Sequence, residues 1–178
     1  MKWTFEDMLK GGHPNSLGRT VAVVDLVLTD RSRFADLYRT WFSHDEIVRL
    51  RVANAVKRVT TERPEWTMDV MDGLLSDVAA IDQPSTQWTL ALIFDLCREQ
   101  LSTAQIDRAV EIMKRNLETH DDWIVLNNSM KVLSKWAKDD RELAEWLVPH
   151  LERLKGERRK SVAGQARKAL ALVEKALA

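Results

Sequence analysis

The sequence lacks the features that mark several classes of protein. Its single cysteine, Cys97, excludes an intrachain disulfide and is typical of a reducing compartment. The longest apolar run, residues 90–94, is too short to cross a bilayer. Acidic residues stand among the first eight positions, where a signal peptide needs an apolar run. We therefore expect a cytoplasmic protein without membrane contact, in which Cys97 is a small buried residue.

Excess charge is also missing, because 27 basic residues balance 27 acidic ones. This balance counts against a general nucleic-acid binder, which draws most of its affinity from phosphate neutralisation. The charges are nevertheless segregated. Residues 62–122 carry thirteen acidic and five basic side chains, and residues 123–178 carry seven and twelve. A basic cluster within residues 153–160 is either a solvated helix start or a contact for phosphate or an acidic partner.

Proline and glycine are scarce, at four and six residues, and the remaining composition favours helix. No segment alternates with the period of two that a strand requires. Apolar spacing and capping signals predict helices over about residues 3–9, 16–28, 32–42, 44–60, 85–99 and 158–177. Ser43 with Glu46, and Ser102 with Gln105, form predicted capping boxes, and Asp45 is the alternative cap to Ser43. Pro149 is expected to kink its helix or to end it early.

A pattern of residues recurs about every 38 positions. When Asp45 is counted as position zero, apolar or small residues follow at positions three, seven, eight, ten, eleven and fourteen. Further copies begin at Gln83, Asp122 and Arg159, so the starts are 38, 39 and 37 residues apart. Each copy follows a second amphipathic segment. Paired helices at this period indicate an α-solenoid, in which neighbours stack because no single pair can bury its own apolar face.

The least degenerate copy resembles the HEAT-repeat family, whose pattern places Asp first, then Val-Arg, then small residues. The matching residues are Asp45, Val48, Arg49, Ala53, Ala55 and Val56. The later copies depart from the pattern at three positions, Gln87, Leu126 and Arg167. The chain also looks like an uncharacterised group of short bacterial HEAT proteins, which have a linker similar to Arg-Pro-Glu-Trp at 63–66. Where that group carries Trp-His, this chain has Trp88 and Thr89.

The resemblance implies an all-α, right-handed α-α superhelix of about four helix pairs. It covers about residues 31–177, and residues 1–30 are expected to form N-terminal capping helices, so that residues 1–178 make one HEAT-like domain. In HEAT arrays the second helix of each pair lines the concave face. We therefore predict a partner-binding surface there, formed by Arg51, Asn54, Arg58, Trp88, Thr89, Leu92, Asn127, Asn128, Lys131 and Lys168.

This predicted groove has basic ends and an apolar middle near Trp88 and Leu92. Protein-binding surfaces often set an aromatic anchor in a polar surround, so the leading hypothesis is a non-enzymatic adaptor that binds another protein or a peptide. The same residues also fit a solvated helix face with incidental apolar contacts, and a shift of register by one position would bury Trp88. Some HEAT-like proteins serve as lyase or chaperone subunits for tetrapyrrole-bearing proteins, but no residue here argues for that role.

The alternative function is nucleic-acid binding by a HEAT-like protein related to DNA alkylation-repair glycosylases, which use Trp and Asp in a basic concave groove. Trp123 follows Asp122 here, but Asp122 is more simply a helix cap. Nucleic acid is therefore not the favoured partner. No base is placed beside Cys97, and the four histidines show no metal-ligand spacing. We predict no catalytic residue, no metal and no cofactor.

Overall fold

The computed structural model describes residues 3–13 and 15–178, and every regular element in that part of the chain is helical. The prediction of an all-α protein is confirmed for these residues. Short 3-10 turns lie at Arg31–Arg33, Met68–Val70 and Arg98–Gln100, and a π-helical turn lies at Leu74–Val78. The α-helices are α1 Phe5–Leu9, α2 Thr20–Thr29, α3 Phe34–Thr40, α4 Glu46–Glu62, α5 Pro64–Thr67, α6 Met71–Gly73, α7 Pro84–Leu96, α8 Thr103–Thr119, α9 Trp123–Trp136, α10 Arg141–Lys155 and α11 Lys160–Leu177.

Membrane insertion would require a helix that is both long and apolar. Among the helices of residues 3–13 and 15–178, none combines the length with the apolar character that a bilayer crossing demands.

Aspartate side chains cap the N-termini of three of the long helices. Asp45 accepts hydrogen bonds from the backbone N–H groups of Ile47 and Val48, at 2.8 and 3.3 Å. Asp122 makes the same pair of bonds two and three residues on, at 2.8 and 3.1 Å. Asp140 caps α10 through the N–H three residues on, at 2.9 Å. Each cap satisfies donors that the first helical turn leaves without partners.

One predicted capping box and one predicted helix start are wrong. Ser43 does not form a capping box with Glu46, because its hydroxyl accepts from the Asp45 N–H at 3.1 Å and donates to Glu6 at 3.0 Å. Asp45 is the cap instead. Helix α2 begins four residues later than predicted, at Thr20, and no side chain caps it. The preceding residues form turns, so the apolar spacing there extends beyond the helix itself.

Two further sequence signals concern α8 and α10. The capping box before α8 is confirmed, since Ser102 Oγ accepts from the Gln105 N–H at 3.3 Å and Gln105 Oε1 accepts from the Ser102 N–H at 3.0 Å. The expectation that Pro149 ends its helix early is wrong. Helix α10 continues through Pro149 to Lys155.

The stretch from Pro64 to Val78 is helical but irregular. It contains a turn of α-helix, a 3-10 turn, a second short α-helix and a π turn in succession. Pro64 occupies the first turn of α5, where a missing N–H removes no helical bond. The Tyr38 phenol approaches the backbone at Gly73 so closely that a Cβ there would overlap the hydroxyl oxygen. Packing against α3 therefore shapes this stretch as well as its own propensity.

The helices group into two compact units, Met1–Ile106 and Asp107–Ala178. In the first unit, α2, α4 and α7 are successive neighbours, and α1, α3 and α5 pack against this row. Its fully buried side chains include Val52, Val56, Leu90, Ile93 and Phe94. In the second unit, α9, α10 and α11 pack against one another, with full burial of Met130, Leu133, Leu147, Ala166 and Val173.

The sequence repeat has a counterpart in the hydrogen bonds of the first unit. Arg49, at position four of its copy, donates to the Ser43 carbonyl at 2.7 Å. Gln87, at position four of the next copy, donates to the Ile81 carbonyl at 3.0 Å. Both acceptor residues lie two residues before position zero of their copies. Different side chains therefore make the same bond from the helix to the turn that precedes it.

The residue at position zero binds the start of the preceding copy in both units. Gln83 Oε1 accepts from Arg49 Nε at 2.6 Å, and the Gln83 amide donates to the Glu46 carbonyl at 3.0 Å. In the second unit, the Arg159 guanidinium donates to the Asp121 carbonyl and lies 3.3 Å from the Asp121 carboxylate. Arg49 thus bonds both to its own copy and to the copy that follows.

Candidate interaction surface

The ten predicted contact residues divide between the two units. In the first unit they are Arg51, Asn54 and Arg58 of α4 and Trp88, Thr89 and Leu92 of α7. In the second unit they are Asn127, Asn128 and Lys131 of α9 and Lys168 of α11. Helices α4 and α7 are direct neighbours, as are α9 and α11. Each unit therefore offers a surface of its own.

Position six of the repeat is not part of an open surface in the first unit. Arg51 and Thr89 both occupy this position, and they are only 2% and 3% exposed. Helix α4 has α2 and α7 as neighbours, so its buried arc covers about 200° of a helix that turns by about 100° per residue. That arc includes position six and leaves positions five, nine and thirteen more open. The prediction that Arg51 and Thr89 line an open face is wrong.

The Arg51 side chain instead holds the loop between α1 and α2. Its guanidinium donates to four backbone carbonyls, those of Leu9 at 2.5 Å, Gly11 at 2.6 Å, His13 at 3.2 Å and Ser16 at 3.2 Å. These carbonyl oxygens replace the water that a buried guanidinium gives up, so its charge is compensated by main-chain dipoles. Arg51 is therefore a structural residue.

The open side of α4 and α7 forms a surface, the α4–α7 face, made of Asn54, Arg58, Trp88, Leu92 and Leu96. On α7, Trp88 and Leu92 are half-buried and Leu96 is 40% exposed. On α4, Arg58 is exposed, and its Nε donates to Asn54 Oδ1 at 2.7 Å, one turn back. The face thus combines an apolar row with a cation and an amide, a mixture found at the core and rim of protein interfaces.

The open side of α9 and α11 forms a second surface, the α9–α11 face, made of Asn127, Asn128, Lys131, Lys168 and Leu172. Both lysines are exposed and Leu172 is 41% exposed. Asn127 Oδ1 is buried and has no hydrogen-bond partner among residues 3–13 and 15–178. The two helices carry six basic residues and one acidic residue, Glu174. This face therefore has a positive potential that favours anionic partners.

Groups capable of nucleophilic or metal chemistry are buried or dispersed. Cys97 is fully buried, as predicted, and burial raises the pKa of its thiol to about 11, whereas a reactive cysteine needs a lowered pKa. His150 stacks on Trp146, with ring centroids 4.0 Å apart, and Lys114 Nζ lies 4.8 Å from the same indole. In the part of the chain that the structure describes, no group of three His, Cys, Asp or Glu side chains could hold a metal ion.

The tryptophans divide between core and surface. Trp41 is fully buried and its indole N–H donates to Thr86 Oγ1 at 3.1 Å. Trp136 is 5% exposed. Trp123 is 48% exposed, but the carboxylate of its neighbour Asp122 is occupied by the two backbone donors at the start of α9. Asp122 of the Asp-Trp pair therefore acts as the N-cap of α9.

A cleft of about 590 Å³ near the N-terminus was not visible in the periodicity. Its lining includes Trp3, which is 63% exposed, and Arg33, whose guanidinium lies 4.3 Å from the centre of the Phe5 ring. Asp36 and Arg39 form an ion pair at the same cleft. These residues come from separate segments that become neighbours only when α1 packs against α3. Helical spacing within one segment could not reveal them.

Comparisons of the chain with protein-family models, with curated proteins and with solved structures find no match. The resemblance to HEAT repeats therefore rests on the residues of the sequence pattern. The bonds at positions zero and four add to that pattern, but they do not assign a family.

Proposed function

We propose that the chain is a non-enzymatic protein-interaction module with the architecture of a right-handed HEAT-like solenoid. Its partner is a protein or peptide that docks on the α4–α7 face. The observation that carries this proposal is the apolar row of Trp88, Leu92 and Leu96 on α7, in which Leu96 is exposed and the other two side chains are half-buried. Exposure of large apolar side chains to water costs free energy. A row of them therefore favours a partner that covers it. The single buried cysteine fits the reducing cytoplasm as its place of action.

The chemistry of the face indicates the kind of segment it accepts. An amphipathic helix or an extended peptide would place apolar side chains over Leu92 and Leu96. A carboxylate on its flank would meet Arg58, which Asn54 already orients at 2.7 Å. Preorganisation of the guanidinium lowers the entropy lost on binding.

The test compares two leucines of equal exposure at the same repeat position. Leu96→Glu places a charge in the α4–α7 face, and Leu172→Glu is the matched control in the other unit, at 40% and 41% exposure. The immobilised wild-type chain and both variants are incubated with lysate, and bound proteins are identified by mass spectrometry. We expect one stoichiometric protein that is retained by wild type and by Leu172→Glu but lost with Leu96→Glu. Equal retention by both variants would contradict the proposal.

The positive potential of the α9–α11 face supports a second candidate function, the binding of nucleic acid. Phosphate neutralisation by Lys131 and Lys168 would make the affinity for duplex DNA fall steeply with salt. The double variant Lys131→Gln/Lys168→Gln should lower both the affinity and the salt slope, whereas Leu96→Glu should leave them unchanged. If wild type does not shift random duplex DNA at low salt, this second function is excluded and the protein-binding proposal is unaffected.

A further inference from the structure

Helix α2 is apolar on nearly all sides, although it lies at the surface. Val21 is 49% exposed and Leu26 is 39% exposed, and Leu17, just before the helix, is 43% exposed. Asp25 is the only charged residue among the ten of α2. A helix with this composition is normally covered on both sides. The exposed side of α2 therefore has the chemistry of an interface.

Helix α2 is also the last member of a row. Helices α2, α4 and α7 are successive neighbours in the first unit. The buried residues of α2 are Thr20, Val23, Val24 and Val27, which cover about 100° of the helix, whereas those of α4 cover about 200°. The difference arises because α4 packs between α2 and α7, whereas α2 packs mainly against α4, with smaller contacts to α1 and to the 3-10 turn at Arg31–Arg33. The row thus ends on an apolar face that could receive another helix.

We propose that this face pairs with the α2 helix of a second copy of the chain, antiparallel and centred on Ala22. Two antiparallel helices related by a two-fold axis place residues that lie equally far before and after the centre at the same level. Arg19 and Asp25 each lie three residues from Ala22, about 4.5 Å along the helix axis. Each copy therefore brings its Arg19 to the level of Asp25 of the other, and two ion pairs form.

The free charges of the single copy support this pairing. Arg19 and Asp25 are both exposed, and neither side chain makes an ion pair or hydrogen bond with another residue of 3–13 or 15–178. An isolated carboxylate in the middle of an apolar face weakens nonspecific association, since burying it alone is costly. A cation supplied at the same level by a second copy compensates it. The charge pattern thus selects a copy of the same helix over a purely apolar partner.

The residues around Ala22 fit the same arrangement. Leu26, four residues after Ala22, is 39% exposed and extends the apolar part of the contact beyond Asp25. Ala22 itself is half-buried and short, which allows the two backbones to approach at the axis.

The size of the contact sets its strength. Helix α2 has ten residues and is about 15 Å long. A contact through one such helix is smaller than the roughly 1,200 Å² of the smaller specific interfaces. We expect a reversible dimer with a dissociation constant on the order of 10–100 µM.

Charge reversal tests the pairing. Sedimentation equilibrium is measured on the full chain over about two decades of concentration around the expected constant. Arg19→Asp and Asp25→Arg should each weaken association at least about tenfold, because each places two like-charge contacts in the interface. An equimolar mixture of the two variants should regain wild-type association, since each supplies the charge that the other lacks. Asp82→Arg, an exposed reversal elsewhere in the first unit, is the matched control and should associate like wild type.

Each contrary result overturns the proposal. If the wild-type chain stays monomeric throughout the concentration range, α2 does not pair with a second copy and the proposal is wrong. A mixture that associates no better than its components refutes the antiparallel register. If Asp82→Arg also weakens association, the loss in the other variants comes from overall charge and not from the α2 contact. Leu26→Glu probes the apolar contact independently and should also give a monomer, with an unchanged far-UV circular dichroism spectrum showing that each variant is folded.

Discussion

Removal of the Arg51 guanidinium tests whether this side chain is a clamp or a surface contact. Arg51→Met keeps the apolar stem and deletes the four hydrogen bonds. The carbonyl of Leu9 is buried, and leaving it without a partner costs about 1–3 kcal/mol. The other three bonds are part-buried, and their loss costs about 0.5–1.5 kcal/mol each when water replaces the guanidinium. Relief of the buried charge offsets part of this sum, so we expect a net destabilisation of about 3 kcal/mol.

The assay is urea unfolding followed by far-UV circular dichroism. Arg58→Met is the matched control, because Arg58 lies on the same helix but is exposed, and among the described residues its side chain bonds to Asn54 alone. A change at such a surface position should stay within about 0.5 kcal/mol. Amide hydrogen exchange of residues 10–18 should accelerate in Arg51→Met and not in Arg58→Met, since only Arg51 holds that loop.

A difference between the two variants of less than about 1 kcal/mol would refute the clamp, because that is no more than one ordinary hydrogen bond. The sequence-based prediction that Arg51 contacts a partner would then stand again. A large destabilisation in both variants would instead mean that α4 tolerates no change on either side, and the reasoning from burial would fail.

Three further predictions concern single side chains. Gly73→Ala should destabilise the first unit by about 2–3 kcal/mol in urea unfolding, since the new methyl overlaps the Tyr38 hydroxyl, and Tyr38→Phe should restore part of that loss. With its pKa raised to about 11, Cys97 should react with a thiol reagent at about pH 8 at least about 100-fold more slowly in the folded chain than in urea; equal rates would refute its burial. The pKa of His150 is lowered mainly by burial, with Arg153 and Lys114 adding to it and Glu118 opposing. The unfolded chain therefore binds the proton more readily, and stability should fall as the pH drops below about 6.5. His150→Gln should flatten this fall in urea midpoints between about pH 7.5 and 5.5, and an identical slope in both proteins would contradict the assignment.

Local signals predicted the helical class and several helix starts correctly. Asp45 and Asp122 cap their helices because the bonds involved reach only two or three residues along the chain. Their geometry needs no information from the rest of the fold. The burial of Cys97 and Val52 follows in the same way from helical spacing.

The failure at Arg51 has a different cause. Helical spacing gives the direction of a buried face but not its width, which depends on how many neighbours the helix has. Arg51 is buried because the loop after α1, 35 to 42 residues earlier in the chain, wraps its carbonyls around the guanidinium. Positions six and nine lie close together on a helix, so only that tertiary contact distinguishes Arg51 from Asn54.

The irregular stretch from Pro64 to Val78 did leave a signal in the sequence. Its apolar residues, Trp66, Val70, Leu74 and Val78, are spaced by four throughout. On an α-helix this spacing drifts by about 40° at each step. The wider π turn at Leu74–Val78 takes up part of the drift and keeps both of its end residues buried. An unbroken spacing of four is thus a reason to expect a departure from regular α-helix.

The hydrogen bonds that join sequence-distant segments within each unit also affect how the chain folds during synthesis. They join residues about one repeat apart: 34 residues for Arg49 with Gln83, 38 for Arg31 with Asp69, 36 for Arg153 with Leu117, and 38 for Arg159 with Asp121. At synthesis rates of about 5–20 residues per second, the second partner of each bond leaves the ribosome about 2–8 s after the first. None of these bonds waits for the far end of the chain, so within each unit the later helices can bond to the earlier ones while synthesis continues.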